Sequence, residues 1–177
     1  LAAVGEAFGR PFELEHLPWS ADHYLKTGET LPPNGYQLLR EFDAIFVGGG
    51  ALDAAAEVRA LAERLTAPVV SYRRGRGVLD DRHQLSHLLP GGHALWKTAD
   101  VVLAVGTRLQ LPLSYWGTDD NLKLIKIDID RDELDRIRAP EIGLVGDAAA
   151  VLGRMERRLR RLQPMRADRL AQSRALK

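Results

Sequence analysis

Three consecutive glycines, Gly48-Gly49-Gly50, stand between the apolar run Ala44–Val47 and a stretch with helical spacing. Glycines at a strand-to-helix turn let a phosphate approach the helix N-terminus, where amides and the helix dipole favour an anion. The spacing is not the full G-x-G-x-x-G, because Asp53 stands at the last glycine position and its carboxylate repels a pyrophosphate. The same residues serve equally as a tight turn, with Asp53 helping to cap the helix. The loop Arg73-Arg74-Gly75-Arg76-Gly77 adds guanidinium forks and bare backbone amides suited to phosphate or carboxylate.

Other chemistry-bearing groups each have a plainer reading. His83 and His87 have the i, i+4 spacing that zinc sites use, with Asp80 and His93 nearby, but hydrogen bonding in a loop and at a helix end accounts for them without a metal. Asp119, Asp120, Asp128, Asp130 and Asp132 resemble a magnesium cluster, yet Lys123, Lys126 and Arg131 lie among them, and charge pairing is the simpler account. Arg154, Arg157, Arg158, Arg160 and Arg161 form a basic stripe without interleaved aromatics, expected as a solvated face or a contact with a neighbouring domain. There is no Gly-x-Ser-x-Gly elbow and no cysteine, so neither a serine nor a thiol nucleophile is marked, and no catalytic or metal-ligating residue is assigned.

The elements that must position these groups alternate. Apolar runs at Ala44–Val47, Pro68–Tyr72, Val101–Val105 and Ile142–Val145, and the alternating Lys123–Ile129, read as strands, most of them ending in Gly, Asp or Arg. Phe12–Leu17 reads as a further strand. Residues 52–65 and 148–162 have helical spacing, with shorter helices at His93–Ala99 and Arg131–Arg136. This order predicts an α/β fold: a doubly wound, mainly parallel, Rossmann-like sheet of about six strands with helices on both faces. The 177 residues suffice for one sizeable core. A net charge of +1 gives no general pull toward nucleic acid or membrane, and no apolar run approaches the roughly 20 residues of a membrane span. With no cysteine and no visible leader, a cytoplasmic location is expected.

Several motifs occur together in a specific order: Gly48-Gly49-Gly50-Ala51, Pro68-Val69-Val70-Ser71-Tyr72, the run from Gly75 to His83, the run from Thr98 to Arg108, Lys126-Ile127-Asp128-Ile129-Asp130, and Gly146-Asp147-Ala148. Over roughly a hundred residues this succession resembles the central domain of thiamine-diphosphate-dependent enzymes of the acetolactate synthase group. The resemblance implies a parent enzyme that uses thiamine diphosphate and Mg2+ on 2-oxo acids as a carboligase or decarboxylase, usually as a homo-oligomer. Its catalytic Glu belongs to an N-terminal domain, and its magnesium-holding Gly-Asp-Gly…Asn motif to a C-terminal one. Gly146-Asp147-Ala148 is not that motif, so this chain is expected to be a scaffold, inactive alone, with those two domains as its missing partners. Members that bind FAD or ADP imply a dinucleotide site at Gly48, Gly49, Gly50, Tyr72, Gly91, Gly92, Gly106, Thr107, Arg108, Asp128, Ile129, Gly146 and Asp147. The chain departs from the FAD pattern after Arg108, where Leu109-Gln110-Leu111-Pro112 replaces the Phe-Asp-Asp-Arg type of continuation, and at Gln84, where proline is common.

The first 48 residues carry a second resemblance, to the N-terminal region of isopropylmalate and tartrate dehydrogenases. It rests on Gly9-Arg10-Pro11-Phe12-Glu13-Leu14-Glu15, Thr30-Leu31-Pro32-Pro33 and Phe42-Asp43-Ala44-Ile45-Phe46-Val47-Gly48. The expected organisation is a dehydrogenase-like segment over 1–47 packed on the sheet edge, the thiamine-enzyme central domain over 48–162 and a basic tail or linker over 163–177: a chimera or fragment joined near Gly48. The rival functions are therefore a piece of an NAD-dependent dehydrogenase of the isopropylmalate or tartrate type and a stand-alone nucleotide-binding module.

Overall fold

The computed structural model describes residues 43–117, 121–160 and 169–177. Its centre is a sheet of six parallel strands: β1 (Ala44–Val47), β2 (Val69–Ser71), β3 (Ser86–His87), β4 (Val101–Val105), β5 (Lys123–Asp128) and β6 (Ile142–Val145), in the order β3-β2-β1-β4-β5-β6. The helices are α1 (Ala55–Leu65), α2 (Leu89–Trp96), α3 (Arg131–Leu134), α4 (Ala148–Leu159) and α5 (Arg169–Ala175).

Strand side chains alternate between faces, and both faces are apolar because both are covered. Ile45, Val47, Val69, Leu103, Val105, Ile125 and Ile127 pack with Val58, Leu61, Ala62 and Leu65 of α1 and Leu152, Met155 and Leu159 of α4. Ala44, Phe46, Val70, Val102, Ala104 and Leu124 face the opposite layer, where Leu95 and Trp96 of α2 and Trp116 complete the packing. Phe46, Trp96 and Trp116 meet edge-on, with centroids 5.5 to 6.3 Å apart. Each large side chain buried this way contributes about 1.5–3 kcal/mol. The expected doubly wound architecture is thus the observed one.

Three local expectations are corrected. The sheet includes Ser86–His87, a two-residue strand with no apolar run to announce it; Phe12–Leu17 lies outside the described residues. The helix expected at His93–Ala99 begins earlier, at Leu89, with Pro90 in its first turn, where a missing N–H costs nothing. Asp53 caps nothing: Gly49–Ala54 winds as a tight 3-10 turn leading into α1, and neither start has a side-chain cap. By contrast, Asp147 caps α4 by accepting the Ala150 amide at 2.9 Å, and Asp130 caps α3 by accepting that of Asp132 at 3.0 Å.

The stretch read as a basic tail or linker contains α5, whose Arg169 and Ser173 are buried. Arg169 donates to Asp43 at 2.6 Å, and the other oxygen of Asp43 accepts the amides of Asp100 and Val101 at the start of β4. Residues 1–42, which carry most of the dehydrogenase resemblance, lie outside the described residues.

Candidate functional site

Because all strands run the same way, their C-terminal tips share one edge, and the strand order reverses between β1 and β4. In open α/β sheets that crevice is where ligands bind. The register sets the heights of the tips: Val47 is level with Ser71 and Val105, Val105 with Ile127, and Asp128 with Val145. Gly48, Gly106, Asp128 and Gly146 therefore close neighbouring strands side by side.

The tips lock onto one another. A Cβ on Gly48 would lie 2.3 Å from the Gly106 carbonyl oxygen, one on Gly50 2.9 Å from the Gly106 Cα, and one on Gly75 2.3 Å from the Val47 carbonyl oxygen. Gly106 itself has φ +56, in the left-handed region that glycine adopts without strain. The amides follow the same inward pattern. Gly48 donates to Val105 at 3.0 Å, Gly50 to Gly106 at 3.2 Å, Ala51 to Gly48 at 3.2 Å, Gly106 to Ile127 at 2.9 Å and Gly146 to Asp128 at 2.9 Å. These five donors are thus spent on protein carbonyls.

The side chains at this edge are engaged as well. Arg108 forks onto Glu133 at 2.7 and 3.0 Å, and Glu133 also holds Arg136. The Thr107 hydroxyl accepts the Leu109 amide, Asp128 accepts the Asp130 amide, and Asp147 is the α4 cap. Gly91 and Gly92 serve packing: a Cβ would fall 2.8 Å from the His87 ring or 2.4 Å from a Val70 methyl, so their bareness lets α2 sit on β2 and β3. Tyr72 carries the Arg73 guanidinium 4.9 Å above its ring, and Arg74 lays its stem 3.2 Å from where a Gly49 Cβ would stand. Ile129 is exposed beside this row.

The histidines and acids do not converge. His83 contacts Glu63 and His87 contacts Ser173. Asp80 is tied to Arg82, whose hydrogen bonds hold its carboxyl well below the usual carboxylate range. Among the described residues no group of three or more acidic or histidine side chains is placed to hold a metal ion. Asp119 and Asp120 lie outside the described residues. On α4, Glu156 accepts from Arg160 and from Arg64 of α1, so part of the basic stripe is an ion-paired seam between helices.

Three buried charges escaped the sequence reading. Lys126 was grouped with the acids, but its ammonium is buried and donates to the carbonyls of Leu134, Arg136 and Arg138 at 2.7, 3.2 and 3.0 Å. Asp43 and Arg169 are far apart in sequence, and only the fold brings them together. The one advance sign of Asp43's role is an acid placed just before a fully apolar strand.

Sheet order, glycine-tipped switch point and helices on both faces define a doubly wound α/β domain. The profile of the thiamine pyrophosphate enzyme central domain matches residues 40–155, and the chain belongs to that family. The match begins upstream of Gly48 and so includes the whole of β1. The chain is 36% identical over 152 residues to an acetolactate synthase of Arthrospira platensis, covering 73% of this chain and 26% of that protein. It is 38% identical over 139 residues to a sulfoacetaldehyde acetyltransferase of Castellaniella defragrans, covering 67% and 22%. It is 33% identical over 121 residues to a 2-hydroxyacyl-CoA lyase of Arabidopsis thaliana, covering 66% and 21%. The chain thus spans about a quarter or less of the length of these curated relatives. No helix among the described residues is long and apolar enough to cross a membrane.

Proposed function

We propose that this chain is the scaffold domain of a thiamine-diphosphate- and magnesium-dependent 2-oxo-acid carboligase or decarboxylase of the acetolactate synthase type. In this reading it supplies no group to thiamine activation, is inactive alone, and works within a homo-oligomer beside domains that hold the cofactor. The observation that carries it is the self-satisfied C-terminal edge. Its glycines, amides, Arg108 and Asp147 are committed to holding the strand tips together. A dinucleotide fits this edge poorly, because binding its phosphates there would break those bonds. Thiamine diphosphate, when bound in the parent enzyme, supplies the carbanion stabilisation; the described residues here supply a rigid sheet.

A second reading, FAD or ADP held at the same edge, has two observations in its favour. Arg73, Arg74 and Arg76 flank the glycine turn, and Ser71, buried at the tip of β2, has a hydroxyl with no hydrogen-bond partner among the described residues. Thermal shift assays separate the two. The scaffold reading expects no stabilisation by thiamine diphosphate with Mg2+, by FAD or by ADP, and no acetolactate from pyruvate. A saturable rise in Tm with FAD or ADP alone would move the assignment to a nucleotide-binding domain. Reduction of NAD with isopropylmalate or tartrate would instead support the dehydrogenase reading.

A further inference from the structure

Helix α5 and Lys177 just beyond it are anchored by polar groups at regular intervals. Arg169, Ser173 and Lys177 are four residues apart. Arg169 reaches Asp43; the Ser173 hydroxyl donates to the Gln84 carbonyl at 2.8 Å; Lys177 donates to the carbonyls of Asp81 and His83 at 3.1 and 2.6 Å. Arg174 adds a bond to the Gln84 side chain at 3.0 Å. Most of these anchors fall on residues 81–84, the returning half of the loop that begins with Arg73, and Asp81 is itself paired with Arg76.

Behind this helix lies His87, with Nε2 2.7 Å from the Ser173 hydroxyl oxygen. Ser173 has one proton and gives it to Gln84. His87 must therefore carry its own proton on Nε2 and donate it. The polarity is opposite to that of an activated serine. Nδ1 faces Gly91, close enough that a Cβ there would lie 2.8 Å away.

We propose that α5 is a strap that locks the arginine-bearing loop 73–84 to the sheet, and that His87 is its acid-sensitive latch. A second proton on the ring places a cation in a pocket where His87 is 4% and Ser173 0% exposed, with an N–H aimed at Gly91. Among the described residues, the charged groups on the surrounding elements are Arg169 and Arg174 on α5 and Lys177 just beyond it, Arg73, Arg74, Arg76, Asp80, Asp81, Arg82 and His83 on the loop, His93 on α2, and Asp43 before β1. The acids there are engaged: Asp80 by Arg82, Asp81 by Arg76, and Asp43 by Arg169. Burial, and then the Lys177 ammonium, push the His87 pKa below its ordinary 6.5. The sign follows from linkage. The undocked ring binds the proton more readily, so the docked state is fully favoured above pH 6.5 and weakens as pH falls from there through the lower docked value.

Hydrogen exchange of the whole chain at about pH 7.5 and about pH 5.5, corrected for intrinsic rates, tests this. Protection of 170–177 and of 80–87 should fall together several-fold at the lower pH. His87→Gln, which keeps an N–H donor but cannot take the extra proton, should hold α5 equally at both pH values, and Ser173→Ala should loosen it at both. Equal wild-type protection at the two pH values, or an unchanged pH response in His87→Gln, overturns the latch. Nitrogen NMR of the wild-type ring is a second measurement that needs no variant: an Nε2–H tautomer is expected at neutral pH, and an Nδ1–H tautomer overturns the assignment.

Discussion

Gly48 and Gly106 touch backbone to backbone across the switch point, with Gly48 donating to Val105 and the Gly106 carbonyl taking the Gly50 amide. Neither position has room for a methyl group, because the obstructing atoms are main chain and cannot swing aside. Gly48→Ala should therefore cost about 3 kcal/mol, the upper end of overpacking penalties. Gly77→Ala is the comparison: nothing lies within 4 Å of its Cβ, and only its φ of +92 opposes the change, at about 1–2 kcal/mol. Urea unfolding of both variants checks the order; equal losses would show that the tips are looser than described.

Lys126 replaces solvent for three carbonyls of the α3–β6 connection. Lys126→Met keeps the length and apolar stem but leaves Leu134, Arg136 and Arg138 without their donor, a loss of roughly 2–4 kcal/mol. Burial pushes the lysine pKa down, and Asp135, Asp128 and Glu133 pull it part of the way back. The docked lysine thus deprotonates at a lower pH than an unfolded one. Exchange of the 134–138 amides, together with the urea midpoint, reports whether the connection loosens.

Glu156 gives the acid side of the stability profile. Burial raises its pKa, but the hydrogen bonds from Arg160 and Arg64 outweigh that, and the net value lies below the ordinary 4.5. Its contribution is complete above pH 4.5 and is lost as pH falls through the lower folded value. Glu156→Gln should therefore lower Tm near neutrality, and the gap to wild type should close in acid. A gap that stays constant down to about pH 3 would mean that the seam between α1 and α4 owes nothing to charge.

Ile137 is a β-branched residue at φ +75, and Thr66 ends α1 at φ +52. Left-handed backbone costs an L-residue roughly 1–2 kcal/mol, so glycine at either position should raise Tm slightly, offset by its greater freedom when unfolded. Differential scanning calorimetry of the two single variants measures the balance. A fall in Tm for Ile137→Gly would show that its half-exposed side chain contributes more packing than its backbone strain costs.

The strands of this sheet were legible because parallel strands covered on both faces must be apolar along their whole length, as β1 and β4 are. β3 was not, since two residues with Ser86 and His87 carry no such run. The glycines at the tips were legible as turns, but their spacing cannot say whether a ligand or a neighbouring backbone needs the room; the contacts of Gly48, Gly50 and Gly106 favour the backbone. Lys126 misled because its position among acids in the sequence says nothing of carbonyls that reach it from a later turn. α5 was hidden for the same reason: its anchors are distant in sequence, and its composition reads as solvated.

The buried pair of Asp43 and Arg169 ties the residue before β1 to the first residue of α5, 126 positions further along the chain. Because the entropy of closing a loop grows only slowly with its length, a tie across so many residues costs little more than a much shorter one, and separation along the chain is a small obstacle to it.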